Sequence, residues 1–421
     1  MKIKNVHAYE ILASGGYPTI ECEVTLVDGL VGTASVPYGA SAGSHEATVL
    51  TDGDKSRWQG KGMLKAISNI ETIIAPKILG LEVTAQQQID QIMLDLDGTE
   101  NKSVLGGNAI LAVSLAVARA AAASKKVPLY KHIIETYHLN TDLKQLPKPM
   151  VVVIEGGKHA ENSTDLQEYC FTSIGDKSAR EHLRTVIECY HELESVLQAN
   201  KLSTNVGNEG AFAPSGIVSN EAPFDYMLQA IKNAGYDPGK DIGISIDAAA
   251  SEFYDNGIYN LKIDDRTMTS AELIAYFESW FKKYPLVTIE DPLAEDDWDN
   301  WVTIKSLCDK YNLPLIGDDL TVTNPKRLQK AIELGAISSI LIKLNQIGTL
   351  TETVKCCLLA TSHNLMTTTS HRGGGETNDS FMIDLAVAVG SRYIKVGPSR
   401  GERVAKHNRL LQIERELHAH I

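Results

Sequence analysis

Ionisable side chains between residues 209 and 395 have the types and spacing for acid–base chemistry on an anionic substrate. Asp247, Glu290 and Asp318 each close a short β-prone run: Ile244-Ser-Ile before Asp247, Val287-Thr-Ile before Glu290-Asp291, and Leu315-Ile-Gly before Asp318-Asp319. Lys343 follows Ile340-Leu-Ile, His371 and Arg372 follow the run Met366 to Ser370, and Lys395 follows Tyr393-Ile. Three converging carboxylates form a hard oxygen-donor set suited to Mg²⁺, with waters and substrate completing the shell. No His/Cys spacing competes for zinc or iron. Taken singly, each acid reads equally well as a helix cap or as the partner of a base. Three at the ends of successive runs read as a ligand set.

A lysine ending an apolar strand is seldom buried without a purpose. Burial, a second ammonium at Lys395 and a nearby divalent cation each disfavour the charged form of Lys343, which predicts a lowered pKa and a general base. Lys395 then neutralises developing negative charge, and Arg372 offers a planar fork for phosphate or carboxylate. Ordinary ion pairs with the acids are the other reading of these cations. Glu209, in the glycine-rich run Thr204 to Pro214, is the available general acid, with Glu168 and His159 in place to orient it or touch substrate. Base, opposed acid and metal together suit proton abstraction α to a carboxylate followed by β-elimination.

Bringing these groups together takes a barrel. Strand, functional group and helix repeat from Ile244 to Gly397, the pattern of an α/β barrel whose chemistry gathers at the C-terminal strand ends. Thr269 with Glu272 has capping-box spacing, as has Thr349 with Glu352; Asn324-Pro325 opens a helix and Gly335 closes it. Upstream, alternation through Ile20, Cys22, Val24 and Leu26, the Asp28-Gly29 turn and a second run ending near Val36 predict a hairpin. Helical patterns follow, including the apolar run Ala109 to Ala123. Residues 1–138 therefore read as a smaller α+β domain preceding a barrel over 139–421, with the boundary between Leu139 and Pro149. The glycine-punctuated run Pro37 to Ser44 reads as a plain loop or as a lid over 37–46 that carries the Ser41 hydroxyl.

Composition narrows the class. The chain has 421 residues, 43% hydrophobic and 22% charged, as expected of a globular protein with a sizeable core. Its net charge of −13 argues against nucleic acid and anionic membrane surfaces as partners. The Met1-Lys-Ile-Lys start has no apolar signal region, and the run Ala109 to Ala123 is short for a span and contains Arg119, so no membrane span is expected. Six cysteines without CxxC spacing read as buried free thiols of a cytoplasmic protein.

From Glu10 to Glu414 the chain resembles the enolase (phosphopyruvate hydratase) family. The resemblance rests on long motifs: Gly207-Asn-Glu-Gly-Ala-Phe-Ala-Pro, Ser251-Glu-Phe-Tyr, Ile289-Glu-Asp-Pro, Gly317-Asp-Asp-Leu-Thr-Val-Thr-Asn, Lys343-Leu-Asn-Gln-Ile-Gly-Thr-Leu, Ser370-His-Arg and Glu402-Arg-Val-Ala-Lys-His-Asn. It implies an atypical barrel opening with a ββαα unit, and reversible glycolytic dehydration of 2-phosphoglycerate to phosphoenolpyruvate with Lys343 as base and Glu209 as acid. The implied first Mg²⁺ takes Asp247, Glu290 and Asp318, and the second takes Ser41 and the substrate phosphate. Implied substrate contacts are His159, Gln167, Glu168, Lys343, Arg372 and Lys395, with Ser41 from the lid. A cytoplasmic homodimer, in some members an octamer and in some displayed at the cell surface, is also implied.

The chain departs from the family pattern close to this chemistry. Gly373, followed by an extra glycine, stands where a serine contacts phosphate; Tyr38 and Ala42 replace a serine and a threonine of the lid. Asn208 replaces the aspartate before the acid, and Glu155 replaces an asparagine ahead of Gly156-Gly157. Ala13, Gly15 and Tyr17 replace Asp, Arg and Asn in a stretch associated with the subunit interface. The changes at Gly373 and Tyr38 keep open a related lyase acting on a different phosphorylated or phosphonate acid. A surface-binding role on the same scaffold is a further alternative, one that leaves the full acid–base–metal set unused.

Overall fold

The computed structural model describes residues 1–39 and 44–418. It begins with an antiparallel meander of β1 (Ile3–Leu12), β2 (Pro18–Leu26) and β3 (Val31–Ser35). The Asp28-Gly29 hairpin joins β2 to β3, while β1 breaks the simple alternation by which β2 was legible: its burial runs in, out, out, in before alternating.

Helix α1 (Gly107–Lys125) packs across β2 and β3. Gly32 makes the approach close, since a Cβ there would lie 2.2 Å from the Ala120 nitrogen. By length and composition α1 is the one helix among the described residues apolar enough to cross a membrane, but 83% of that window is buried inside the fold. Its Arg119 is satisfied at the seam with the second domain. The guanidinium donates to Thr33 O at 2.7 Å and to the two Asp379 carboxylate oxygens at 2.9 and 2.7 Å.

The second domain is a closed eight-stranded barrel. Its strands are β4 (Lys148–Glu155), β5 (Glu168–Ser173), β6 (Ile242–Asp247), β7 (Leu286–Glu290), β8 (Leu315–Gly317), β9 (Ser339–Ile342), β10 (Met366–Ser370) and β11 (Tyr393–Val396). The short β4–β5 connection makes β5 antiparallel to both β4 and β6. All other pairs are parallel. Two helices, α2 (Ala179–Ala199) and α3 (Ala222–Asn233), intervene before β6, and each later strand is followed by a helix, giving ββαα(βα)₆. The punctuation is real: Thr269 and Glu272 cap each other reciprocally, and Asn324 caps a helix that ends at left-handed Gly335. All six cysteines are buried and free.

Asp379 also accepts the Ser35 and Phe381 N–H groups at 2.9 and 2.7 Å, so one barrel carboxylate ties down the meander, α1 and its own loop. Asp379→Ala strands a cation and two amides, and is expected to lower unfolding free energy in urea by about 3 kcal/mol. A change under about 1 kcal/mol would contradict that role.

Candidate active site

Period-two alternation builds the site. Cys170, Ile316, Leu341 and Tyr393 belong to a small apolar plug inside the barrel, with Met150 and Val152. Two residues nearer the mouth come Glu168 and Lys395 on their strands, and Asp318 and Lys343 one residue past the ends of theirs, so the alternation turns all four to the inward face. Asp247 and Glu290 stand in the same relation to the buried Ser245 and Thr288. Register does the rest: Glu168 pairs with Asp247, and Asp247 with Glu290, across adjacent strands.

This crowding of buried charge needs compensation, and Lys395 provides it. Its Nζ lies 2.7 Å from Glu168, 2.9 Å from Asp247 and 2.7 Å from Glu290. Burial disfavours the ammonium, yet the three carboxylates outweigh it and hold its pKa well above the usual lysine range. Burial and the neighbouring Asp247 carboxylate push Glu290 up, and burial likewise raises Asp247.

Lys343, the expected base, follows β9, and its N–H donates to Thr323 Oγ1 at 2.9 Å. Its Nζ sits 2.5 Å from Asp318 Oδ2. The expected lowering of its pKa is corrected: burial does act downward, but the Asp318 carboxylate prevails and the pKa is raised. Sequence spacing located the ammonium without showing that its nearest neighbour is an anion.

Glu209, the expected acid, is held by two histidines. Burial favours its protonated form, but His371 Nε2 at 3.2 Å and His159 Nδ1 at 3.5 Å hold it as a carboxylate, below the usual range. His159 also lies 3.3 Å from Glu168, and against the cost of burial these two acids lift its pKa to about 9. Beneath the loop, Glu155 accepts the Glu209 N–H at 2.8 Å, and burial followed by the Glu209 charge pushes its own pKa up to about 8.

Arg372 is buried and its Nη2 lies 2.8 Å from Glu46, a partner that sequence spacing did not reveal. Gly373 turns to the acid rather than to open space. A Cβ on it would lie 2.5 Å from Glu209 Oε1 and 2.7 Å from His159 Cε1. The departures scattered in sequence meet beside it. Tyr38 N–H donates to Gly375 O at 2.7 Å, a Cβ on Gly15 would lie 2.3 Å from Gly374 O, and the Tyr17 and Tyr38 rings lie 5.9 Å apart with Lys61 over Tyr17. Ser41, expected to serve both substrate and metal, lies outside the described residues, as does the centre of the expected lid at 40–43.

A cavity of about 300 Å³ is lined by Gln167, Asp247, Asp318, Lys343 and Arg372 among others. Seven carboxylates face three cations in its walls, Lys158 and Arg372 joining Lys343, so it has an unbalanced acidic lining. Asp291, Asp318 and Asp319 each offer an oxygen within 4.8 Å of the others, a donor set suited to a hard divalent cation. Asp247 and Glu290, at the ends of β6 and β7, contact Lys395 instead.

Residues 143–421 match the family described as Enolase, C-terminal TIM barrel domain, and residues 3–133 match Enolase, N-terminal domain. The chain belongs to the enolase family. Enolase-family domains place it among lyases of that superfamily and typically use Mg²⁺, which the oxygen-rich acidic lining here is chemically fit to hold. Asp291 and Asp319 were within reach of sequence reasoning, since each directly follows a named acid in the doublets Glu290-Asp291 and Asp318-Asp319. Glu46 and Lys158 carried no such signal. Lys158 comes from the turn after β4 and lies 2.5 Å from Glu252.

Lys395→Met would leave Glu168, Asp247 and Glu290 without their common cation. Chemical unfolding in chelator should show a loss of about 3 kcal/mol relative to the parent. Equal stability of the two proteins would mean that these acids are compensated by some other group.

Proposed function

We propose that this enolase-family protein catalyses Mg²⁺-dependent, reversible dehydration of 2-phosphoglycerate to phosphoenolpyruvate. The observation that carries the reading is the presence, at one barrel mouth rich in carboxylates, of a half-buried lysine, Lys343, held by Asp318, and a buried acid, Glu209, held by two histidines, together with the buried cations Lys395 and Arg372. Lys343 removes the proton α to the substrate carboxylate, and Glu209 protonates the departing hydroxide at the neighbouring carbon. Bound at Asp247, Glu290 and Asp318, with the second ion held by substrate phosphate and Ser41, Mg²⁺ would supply the positive charge that stabilises the enediolate-like transition state.

The chain's own groups must change partners for this to work. Asp318 pins the Lys343 proton here, so Lys343 becomes a base once that carboxylate is engaged as a ligand. Lys395 stays charged and offsets negative charge building on the carboxylate end. Glu209 needs a higher proton affinity than its two histidines now allow, and a substrate bearing phosphate and carboxylate beside it acts in that direction. Arg372 and His159 are the cations available to hold the phosphate.

A second reading, a related lyase on another phosphorylated or phosphonate acid, is favoured by Gly373. Glu209 and His159 fill the space that a side chain there would need, so the phosphate end of the pocket is shaped differently from one bearing serine.

Phosphoenolpyruvate formation followed by ultraviolet absorbance decides between them. The expected result is turnover that requires Mg²⁺ and falls about 10³-fold in Lys343→Ala. Folded protein that binds Mg²⁺ but leaves 2-phosphoglycerate untouched would favour the second reading. Gly373→Ser is expected to lower kcat/KM about tenfold or more, because its Cβ displaces Glu209. A gain in activity would show that the crowding has been misjudged.

A further inference from the structure

Strands β4 and β5 slip register between Val152 and Ile154. Val152 sits opposite Cys170 in the apolar plug, and regular alternation would next bring Ile154 opposite Glu168. The extra residue brings Glu155 there instead, onto the inward face. A bulge thus puts a carboxyl where an apolar side chain was due.

The same irregularity docks the loop that carries Glu209. Val153 O accepts the Phe212 N–H at 3.0 Å, and the Glu155 N–H donates to Phe212 O at 2.8 Å. Within the loop, the Gly207 N–H reaches Ala211 O and the Gly210 N–H reaches Gly207 O. The amides of Glu209 and Ala211 go elsewhere: both donate to Glu155 Oε1, at 2.8 and 3.0 Å. Glu155 is fully buried, and Gly207 leaves room for it, since a Cβ at 207 would lie 2.3 Å from Oε2.

We propose that Glu155 is the positioning residue of Glu209: its carboxyl, turned inward by the β4 bulge, fixes the backbone from which the acid reaches His159 and His371. The catalytic part rests on the reading of Glu209 as the general acid. Two buried amides meeting on one oxygen set the φ/ψ of the loop over three residues, and the side chain of Glu209 inherits that orientation. Burial, then the Glu209 charge, push the Glu155 pKa up to about 8, and a glutamine carbonyl presents the same accepting oxygen to the two amides.

The test compares Glu155→Leu and Glu155→Gln by two readouts. The first, amide hydrogen exchange over residues 207–212, needs no substrate. Glu155→Leu should exchange there at least tenfold faster than the parent while Glu155→Gln stays within about threefold. The second is steady-state kinetics on 2-phosphoglycerate, where kcat should fall about 30-fold or more in Glu155→Leu with KM within about threefold, and glutamine should restore it. If Glu155→Leu does not fold, Glu155→Ala carries the same expectations. Parent-like exchange in the apolar variant would overturn the positioning role, as would a loss that glutamine fails to rescue. A parent that exchanges as expected but does not turn over 2-phosphoglycerate would overturn the activity and leave the positioning intact.

Discussion

Three buried carboxylates around a single ammonium form the interaction on which the barrel mouth depends. Taking Glu168, Asp247 and Glu290 out of water is expensive, and Lys395, within 2.9 Å of all three, is what makes it tolerable. One ammonium cannot neutralise three carboxylates, and burial accordingly raises the pKa values of Asp247 and Glu290 while Lys395 is driven far from neutrality. A few ångströms away Asp318 draws Lys343 into the same economy of charge. The mouth is thus poised for additional positive charge, the property that a site for Mg²⁺ and an enediolate requires. In the proposed reaction stability and chemistry make opposite demands on it, as the proton that Lys343 would give up is held by one of the proposed metal ligands.

Much of this was legible because β-strand alternation and chain order are one-dimensional facts. Runs ending in Asp247, Glu290, Asp318, Lys343 and Lys395 place those groups at strand ends, and the closed barrel turns strand ends into one rim. Helix punctuation at Thr269, Asn324 and Gly335 was equally local. Pairings across hundreds of residues were not legible. Nothing in the sequence joins Arg372 to Glu46 or Arg119 to Asp379. The direction of the Lys343 pKa shift and the two histidines beside Glu209 were not legible for the same reason: they depend on which neighbour is nearest in space. A bulge is also invisible to alternation, so the inward turn of Glu155 appears only in the pairing of β4 with β5.

The sequence departures gain meaning from their convergence. Gly15 and Tyr17 in the first turn, Tyr38 at the start of the expected lid, and Gly373 to Gly375 after the Ser370-His-Arg motif look like unrelated drift along the chain. In space Gly15 meets Gly374, Tyr38 is hydrogen-bonded to Gly375, and Gly373 abuts the acid. They form one contiguous patch between the meander and the loop that follows the Ser370-His-Arg motif. Glycine is demanded at 375, where a Cβ would fall 1.6 Å from Tyr38 O, so the loop and the tyrosine segment are shaped to each other and not independently replaceable.

The proposed reaction divides the labour between Lys343, which moves the α-proton, and Glu209, which expels the hydroxide. Exchange of the α-hydrogen of 2-phosphoglycerate with solvent deuterium, followed by NMR in Mg²⁺ buffer, separates the two steps. Glu209→Gln should continue to exchange that hydrogen while forming almost no phosphoenolpyruvate, whereas Lys343→Ala should do neither. Exchange that survives in Lys343→Ala and disappears in Glu209→Gln would contradict the account, since it would assign the base to the opposite side of the site.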